Sequence, residues 1–363
     1  MKAGIVGLPN VGKSTLFNAL TSARAEARNY PFCTIEPNVG MVPIPDPRLA
    51  RLNNYIATKE VVPTVLHCVD IAGLVRGAHQ GEGLGNQFLS HIREVEAILH
   101  VVRCFENADV THVDAHVDPV RDIETIETEL LLADLQMVTN ALERSRKNLR
   151  GGDADTALRV RVLERCQTAL DAGQAVRALD WPVAAEEKML RMLGLITAKP
   201  VCYIANVGDE ESPSAVAAIK AIRAYMQRHD GDVVPVCARI ESELAELAPA
   251  ERAEMLDALG MAEPALDRVA RAAHALLGLQ SFFTAGPKQI RAWTIPCGAT
   301  APQAAGAIHT DFERGFIRVE VYTVADLEQY HSEAAIKAAG RMRLEGKQYI
   351  MQDGDVCHFL FNV

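Results

Sequence analysis

The chain has 363 residues, too many for one ordinary domain, so two or three are expected. Its net charge of −10 excludes a bulk electrostatic grip on nucleic acid and leaves room only for a local basic patch. No apolar run is long enough to span a bilayer, the chain opens on a strand instead of a charged leader, and its eight cysteines include no C-x-x-C pair. A cytoplasmic, unprocessed protein with no membrane segment, metal knuckle or disulfide framework is expected.

Lys2 to Val6 reads as a short apolar strand, and Gly7 to Ser14 after it, Gly-Leu-Pro-Asn-Val-Gly-Lys-Ser, fits G-x-x-x-x-G-K-[ST] in full. In such a loop backbone N–H groups turn inward around phosphate oxygens, the lysine reaches the terminal phosphates and the hydroxyl after it ligates Mg²⁺. Asn10, Val11, Gly12, Lys13, Ser14 and Thr15 are the expected phosphate-binding set, Lys13 also acting in catalysis and Ser14 on the metal. Thr15 to Leu20 has helical spacing, which puts the phosphates at a helix N-terminus.

Asn29 to Gly40 is rich in turn residues and runs into a strand-like stretch from Val39 to Ile44. A P-loop enzyme closes a mobile segment over the γ-phosphate, and a threonine there completes the Mg²⁺ shell; Thr34 is the candidate. Val61 to Val69 is a nearly continuous apolar run, read as one buried parallel strand, and it ends in Asp70-Ile-Ala-Gly73. An aspartate there holds Mg²⁺ through water, and the Gly73 N–H senses the γ-phosphate. Leu74 follows, where many GTPases carry a glutamine that orients the attacking water.

Ala97 to Phe105 is the next core strand. The loop beyond Phe105-Glu-Asn107 carries His112, just past a strand's carboxyl end, and it is the candidate to orient water in place of the missing glutamine. His116 and His79 are its rivals. Asp118-Pro119 is an N-cap signature, and apolar residues at 123, 126, 130, 135, 138 and 142 keep helical spacing up to Gly151-Gly152. Leu158, Val162, Cys166 and Leu170 begin a second helix, so an antiparallel helical hairpin interrupts the sheet. Its tip, residues 144–165, holds Arg144, Arg146, Lys147, Arg150, Arg159, Arg161 and Arg165 against three acidic residues. That local charge opposes the chain's overall sign, and a docking tip for RNA or another partner stands beside the plainer reading of a solvated face.

Pro200 to Asn206 is another apolar strand, ending in Asn206-Val-Gly-Asp209. GTPases carry N-K-x-D here, the aspartate pairing with the guanine edge; Val207 replaces the lysine. Asn206, Val207 and Asp209 are the expected base-binding residues. Val233 to Cys237 and Cys237-Ala-Arg239 supply the last strand and loop of a doubly wound α/β domain. From Gln280 on, Ile290 to Ile295, Phe316 to Val321 and Val356 to Phe361 alternate as strands around a small-residue helix near Gly298 to His309, with a turn at Asp353-Gly354. On its own this is a small α+β domain, in which Arg341, Arg343 and Lys347 are candidates for RNA contact.

The stretches Gly7 to Thr15, Asn29 to Gly40, Asp70 to Val75, Arg103 to Asn107 and Asp311 to Arg318 together resemble the Obg-like ATPase family, known in bacteria as YchF. The resemblance covers essentially the whole chain. It implies a P-loop GTPase-like domain over residues 1–118 and 199–277, an inserted helical hairpin over 119–198, and a C-terminal TGS domain of β-grasp fold over 278–363. It also implies a monomeric, ribosome-binding protein that hydrolyses ATP slowly with Mg²⁺ and regulates translation or a stress response, touching large-subunit RNA through the basic tip or the TGS domain. A histidine in the loop of His112 replaces the glutamine on the same basis. The family usually has glutamate where Asp209 stands, so a GTP-preferring or nearly non-hydrolysing nucleotide-dependent binding module is the alternative. Asn10 adds K⁺ as a further candidate, since in several P-loop GTPases an asparagine there helps bind that cation near the phosphates.

Overall fold

The computed structural model describes residues 2–22, 38–71, 73, 84–106, 117–148, 153–208, 212–226 and 232–362. The chain divides into two compact units, Met1–Val42 with His67–Ala273, and Pro43–Leu66 with His274–Val363. Residues 43–66, which chain continuity alone would put in the first domain, thus pack with the C-terminal unit.

The strands in chain order are β1 (Lys2–Val6), β2 (Val39–Pro43), β3 (Val61–Val62), β4 (Val65–Asp70), β5 (Ala97–Arg103), β6 (Val201–Asn206), β7 (Asp232–Val236), β8 (Leu279–Thr284), β9 (Ile290–Pro296), β10 (Phe316–Thr323), β11 (Arg343–Glu345) and β12 (Asp355–Phe361). The helices that matter for function are α1 (Lys13–Ser22), α2 (Pro47–Asn53), α3 (Leu84–Arg93), α4 (Pro119–Asn148) and α5 (Ala154–Asp171).

The first sheet has the order β2-β4-β1-β5-β6-β7, with β1 parallel to β4 and β5, β5 parallel to β6, and β6 parallel to β7. Every residue of β5 and β6 is buried, which is why these strands read as nearly continuous apolar runs, broken by His100, Arg103 and Asn206, instead of alternating ones. Parallel register brings the carboxyl ends of β1, β4, β5, β6 and β7 to one edge. Ligands bind at that edge in sheets of this kind.

The expected single strand from Val61 to Val69 is corrected to two. Val61–Val62 pairs parallel with β9 in the second sheet, whereas Val65–Asp70 pairs with β1 in the first. Pro63 explains the break, because it has no N–H to give a ladder and fixes its own φ.

Between β5 and β6 the chain makes the helical hairpin. Pro119 is the first residue of α4 and the Asp118 carboxylate accepts from the Arg121 N–H at 3.2 Å; Asp153 caps α5 by accepting from Thr156 N at 3.0 Å. Val138 and Leu142 of α4 meet Val162, Leu163, Cys166 and Leu170 of α5 in a separate apolar core. The hairpin is fastened to its surroundings by buried carboxylates. Asp134, fully buried, accepts from Ile196 N, Thr197 N and the Thr197 hydroxyl at 3.1, 2.7 and 2.8 Å. Glu127 accepts from Arg177 at 2.7 Å and from the Tyr203 hydroxyl at 3.0 Å, linking α4 to the middle of β6.

The second sheet is mixed, in the order β11-β10-β12-β8-β9-β3. Alternation along its strands sends Phe283, Tyr322 and Val356 to one face and Phe282, Val321 and Cys357 to the other. The first face is covered by Leu49 and Leu52 of α2 with Leu327 and Ile336, the second by Ala301, Ala304 and Ala305. Arg341 and Arg343, candidates for RNA contact, are ion-paired here to Asp326 and Asp355, each at 3.2 Å.

Candidate nucleotide site

The loop from β1 to α1 is shaped by two residues with left-handed backbone, Asn10 at φ 61° and Gly12 at φ 95°. Asparagine is among the few side chains that tolerate that region, and glycine enters it freely. Gly12 is also fixed by space, since a Cβ there would lie 2.3 Å from the Asn206 amide nitrogen. The helix begins at once, with Leu16 N donating to Gly12 O at 2.9 Å.

Lys13 is 8% exposed, and its ammonium donates to the Leu8 carbonyl at 2.8 Å, so it is held across the mouth of the loop. Burial pulls its pKa down from the ordinary lysine value, while the Asp70 carboxylate works in the opposite direction. A phosphate at this place would supply the anion that the buried cation lacks. Gly73 comes close behind, three residues past the end of β4: a Cβ on it would stand 3.0 Å from Lys13 Nζ and 3.4 Å from Pro9 N, so a larger residue there would crowd the lysine.

The Ser14 hydroxyl donates to Asp70 Oδ2 at 3.2 Å. Asp70 Oδ1 is buried and has no hydrogen-bond partner among the described residues. Burial pushes the Asp70 carboxyl up, with Ser14 and Lys13 opposing. An orphaned carboxylate oxygen beside a hydroxyl is a pair of hard oxygen donors, and it fits Mg²⁺, which takes one or two such ligands and keeps water for the rest.

On the base side a cavity of about 570 Å³ is lined by Gly12 and Thr15, by Phe105 and Glu106 after β5, by Asn206, Val207 and Gly208 after β6, and by Cys237, Ala238 and Arg239 after β7. Ser242 and Glu243, a turn further along the helix Ala238–Glu246, complete it. Asn206 does more than line it. Its amide donates to Val11 O at 2.9 Å and its carbonyl accepts from Ala238 N at 3.1 Å, which staples the phosphate loop to the last loop of the sheet. Val207 is 2% exposed and donates its N–H to Val236 O at 2.9 Å. Arg103, buried at the end of β5, lies 4.6 Å over the Phe105 ring and donates to the Phe105 carbonyl at 3.2 Å, fixing that wall.

Asn10, Val11, Gly12, Lys13, Ser14, Thr15, Asp70, Gly73, Asn206 and Val207 therefore surround one edge of one sheet. Thr34, His112 and Asp209 lie outside the described residues, as do His79, His116 and Arg150. Ser242 and Glu243 were not legible beforehand; their only trace is that they lie on the helix leaving β7.

Comparison with known proteins extends the picture to the whole chain. Residues 2–140 match a family profile described as a 50S ribosome-binding GTPase, and residues 279–362 match the YchF-GTPase C-terminal profile, described as a protein of unknown function (DUF933). A protein of Escherichia coli O157:H7 named "Ribosome-binding ATPase YchF" is 55% identical over 366 residues, covering 100% of this chain and 99% of that one. "Obg-like ATPase 1" of Oryza sativa subsp. japonica is 45% identical, covering 100% of this chain and 92% of its own length. Among solved structures, the YchF GTPase of Schizosaccharomyces pombe superposes with a TM-score of 0.88 at 37% identity, over 99% of this chain and 97% of that one. The P-loop GTPase fold thus carries the site just described, and likeness to these relatives runs from end to end: the chain belongs to the YchF family.

Proposed function

We propose that the protein is a Mg²⁺-dependent P-loop nucleotide hydrolase that takes ATP in preference to GTP, turns it over slowly to ADP and phosphate, and docks on the ribosome to regulate translation or a stress response. The observation that carries the reading is the convergence of the buried Lys13 ammonium, the Ser14 hydroxyl and the orphaned Asp70 carboxylate oxygen beside Gly73. Lys13 binds and orients the terminal phosphates; Ser14 and Asp70, with Thr34, hold the metal, which supplies charge neutralisation at the phosphates. Gly73 offers its N–H to the γ-phosphate.

The preference for ATP rests on Val207, which cannot give the base pocket the lysine stem found in guanine-selective sites. Slow turnover rests on Leu74, which cannot orient water, leaving His112 to do so. Ribosome docking rests on the printed names of the relatives, "Ribosome-binding ATPase YchF", and on the basic hairpin and C-terminal unit of this chain. The protein is proposed to act in the cytoplasm as a monomer; no described helix is long and apolar enough to cross a membrane.

Asp209, an aspartate where the family has glutamate, favours a second reading in which GTP is preferred or turnover is nearly absent. Calorimetric titration with ATP and GTP, paired with steady-state phosphate release with and without ribosomes, separates the two. Tighter ATP binding and measurable phosphate release are expected. A clear GTP preference, or no release under either condition, overturns the first reading.

A further inference from the structure

Apart from the nucleotide site, the first unit holds a second cleft of about 650 Å³, between α3 and the face of the hairpin that looks toward it. Ser90 and Arg93 come from α3, Gln136, Asn140 and Arg144 recur along one side of α4, and Arg159 comes from α5. Among the described residues no carboxylate lines it, in a chain whose net charge is −10.

The hairpin's arginines are not equivalent. Arg146 is ion-paired to Glu164 at 2.7 Å. Arg161 and Arg165 converge on Glu186 at 3.0 and 3.5 Å, and Arg165 also lies 4.4 Å over the Trp181 ring. Three of the tip's arginines, Arg146, Arg161 and Arg165, are thus engaged, the last two by Glu186 of the helix Ala184–Leu193. Arg144 and Arg159, by contrast, have no hydrogen-bond or ion-pair partner among the described residues, and both line the cleft. Arg93 is aimed from behind, since its guanidinium donates to the fully buried Asp134 at 3.4 Å and to Gly194 O at 3.2 Å.

We propose that this cleft, and not the paired arginines of the tip, is where the protein grips the phosphate backbone of ribosomal RNA; the inference rests on the ribosome-binding reading above. A guanidinium presents a planar fork that matches phosphate oxygens two at a time. Serine, asparagine and glutamine are the neutral side chains that supplement arginine on nucleic-acid backbones. A protein partner would be expected to find an aromatic anchor at the centre of its dock, and among the described residues this cleft has none. Arginines, two of them unpaired among the described residues, beside amide donors are instead the usual make-up of a nucleic-acid interface.

The test compares the full chain carrying Arg144→Gln with Arg159→Gln against a charge-matched control carrying Arg161→Gln with Arg165→Gln. Each is sedimented with purified ribosomes, and with protein-free large-subunit RNA, over a series of KCl concentrations; ATP hydrolysis by the free protein serves as the check on folding. The cleft variant is expected to bind both probes about tenfold more weakly, with the slope of log affinity against log salt shallower by about 2, one unit for each lost phosphate contact. The control stays within about twofold of wild type. An unchanged slope in the cleft variant, with wild type binding normally, overturns the inference alone. Loss of ribosome binding with unchanged binding to naked RNA overturns the choice of RNA in favour of an acidic ribosomal protein. Failure of the wild type to sediment with ribosomes overturns the ribosome reading itself, and this inference with it.

Discussion

The Asn206 side chain donates to the carbonyl of Val11 at 2.9 Å across 195 positions of sequence, so the residue that opens the base-side loop also fixes the phosphate loop. Its other end accepts from Ala238 N, so both polar atoms of the amide are engaged in holding the two loops together. Asn206→Ala should therefore weaken ATP and GTP alike, by about tenfold, as expected when a buried carbonyl and a buried N–H both lose their partner. Calorimetry with both nucleotides checks this. A loss confined to one base would instead make Asn206 a specificity residue.

The orphaned Asp70 oxygen predicts a separable metal defect. Asp70→Asn keeps an acceptor for Ser14 but removes the charge, so the Mg²⁺ concentration for half-maximal turnover should rise at least about tenfold. Nucleotide affinity in the presence of a chelator should stay close to wild type. Lys13→Ala, which strips the phosphate ligand itself, should lose nucleotide binding with and without Mg²⁺ while circular dichroism remains native. An Asp70→Asn protein with an unshifted Mg²⁺ dependence would remove Asp70 from the metal shell.

Asn10 holds a left-handed backbone at φ 61°, the conformation that lets the loop double back. If its side chain also helps seat a monovalent cation beside the phosphates, hydrolysis at matched ionic strength should be faster in K⁺ than in Na⁺. Equal rates would leave Asn10 with its backbone role alone.

For His112, the expected signature is a change in turnover without a change in affinity. His112→Ala should lower kcat by about a hundredfold and leave ATP binding nearly unaltered, the behaviour of a group that acts on water in the transition state. Measured with and without ribosomes, a wild-type kcat would pass the role to His116 or His79.

The phosphate loop was legible because it is contiguous: its chemistry lies in eight successive residues whose backbone does most of the binding. Asp70 and Gly73 were legible because they end an apolar strand, and a strand's carboxyl end marks the site edge. What the sequence hid depends on packing between distant segments. The two uses of Asn206 are contacts over 195 and 32 positions. The transfer of residues 43–66 to the C-terminal unit follows from Leu49 and Leu52 filling a face made by Phe283 and Tyr322, and no local pattern announces that. The pairing of the tip's arginines was hidden for the same reason, since Glu186 reaches Arg161 and Arg165 from a different helix. At Val61–Val69 the cue was present in Pro63 and was outweighed by the apolar run around it.

The last prediction concerns His100, buried in the middle of β5 with its ring 5.4 Å from that of Tyr203. Burial lowers its pKa to about 4, with Arg177 and Lys13 adding to the effect and Glu127 opposing it. In the unfolded chain the same group titrates at the ordinary histidine value of 6.5. A histidine whose folded pKa is depressed costs nothing above the unfolded value, where both states are neutral. As pH falls below that value the unfolded state takes up the proton and the folded state does not, so stability drops until the folded pKa is reached. At pH 5 the loss from this one group is about 2 kcal/mol relative to pH 7. For Glu127 burial raises the pKa, but Arg177, His100 and Tyr203 together hold it below the ordinary glutamate value, so its own contribution is lost as pH falls through that depressed folded value. Urea unfolding at pH 7 and pH 5 should therefore show a marked decline for wild type. His100→Asn, although less stable at pH 7, should decline by about 2 kcal/mol less. An equal decline in both proteins would mean that His100 is protonated in the folded state and that the Glu127 carboxylate, and not burial, governs its charge.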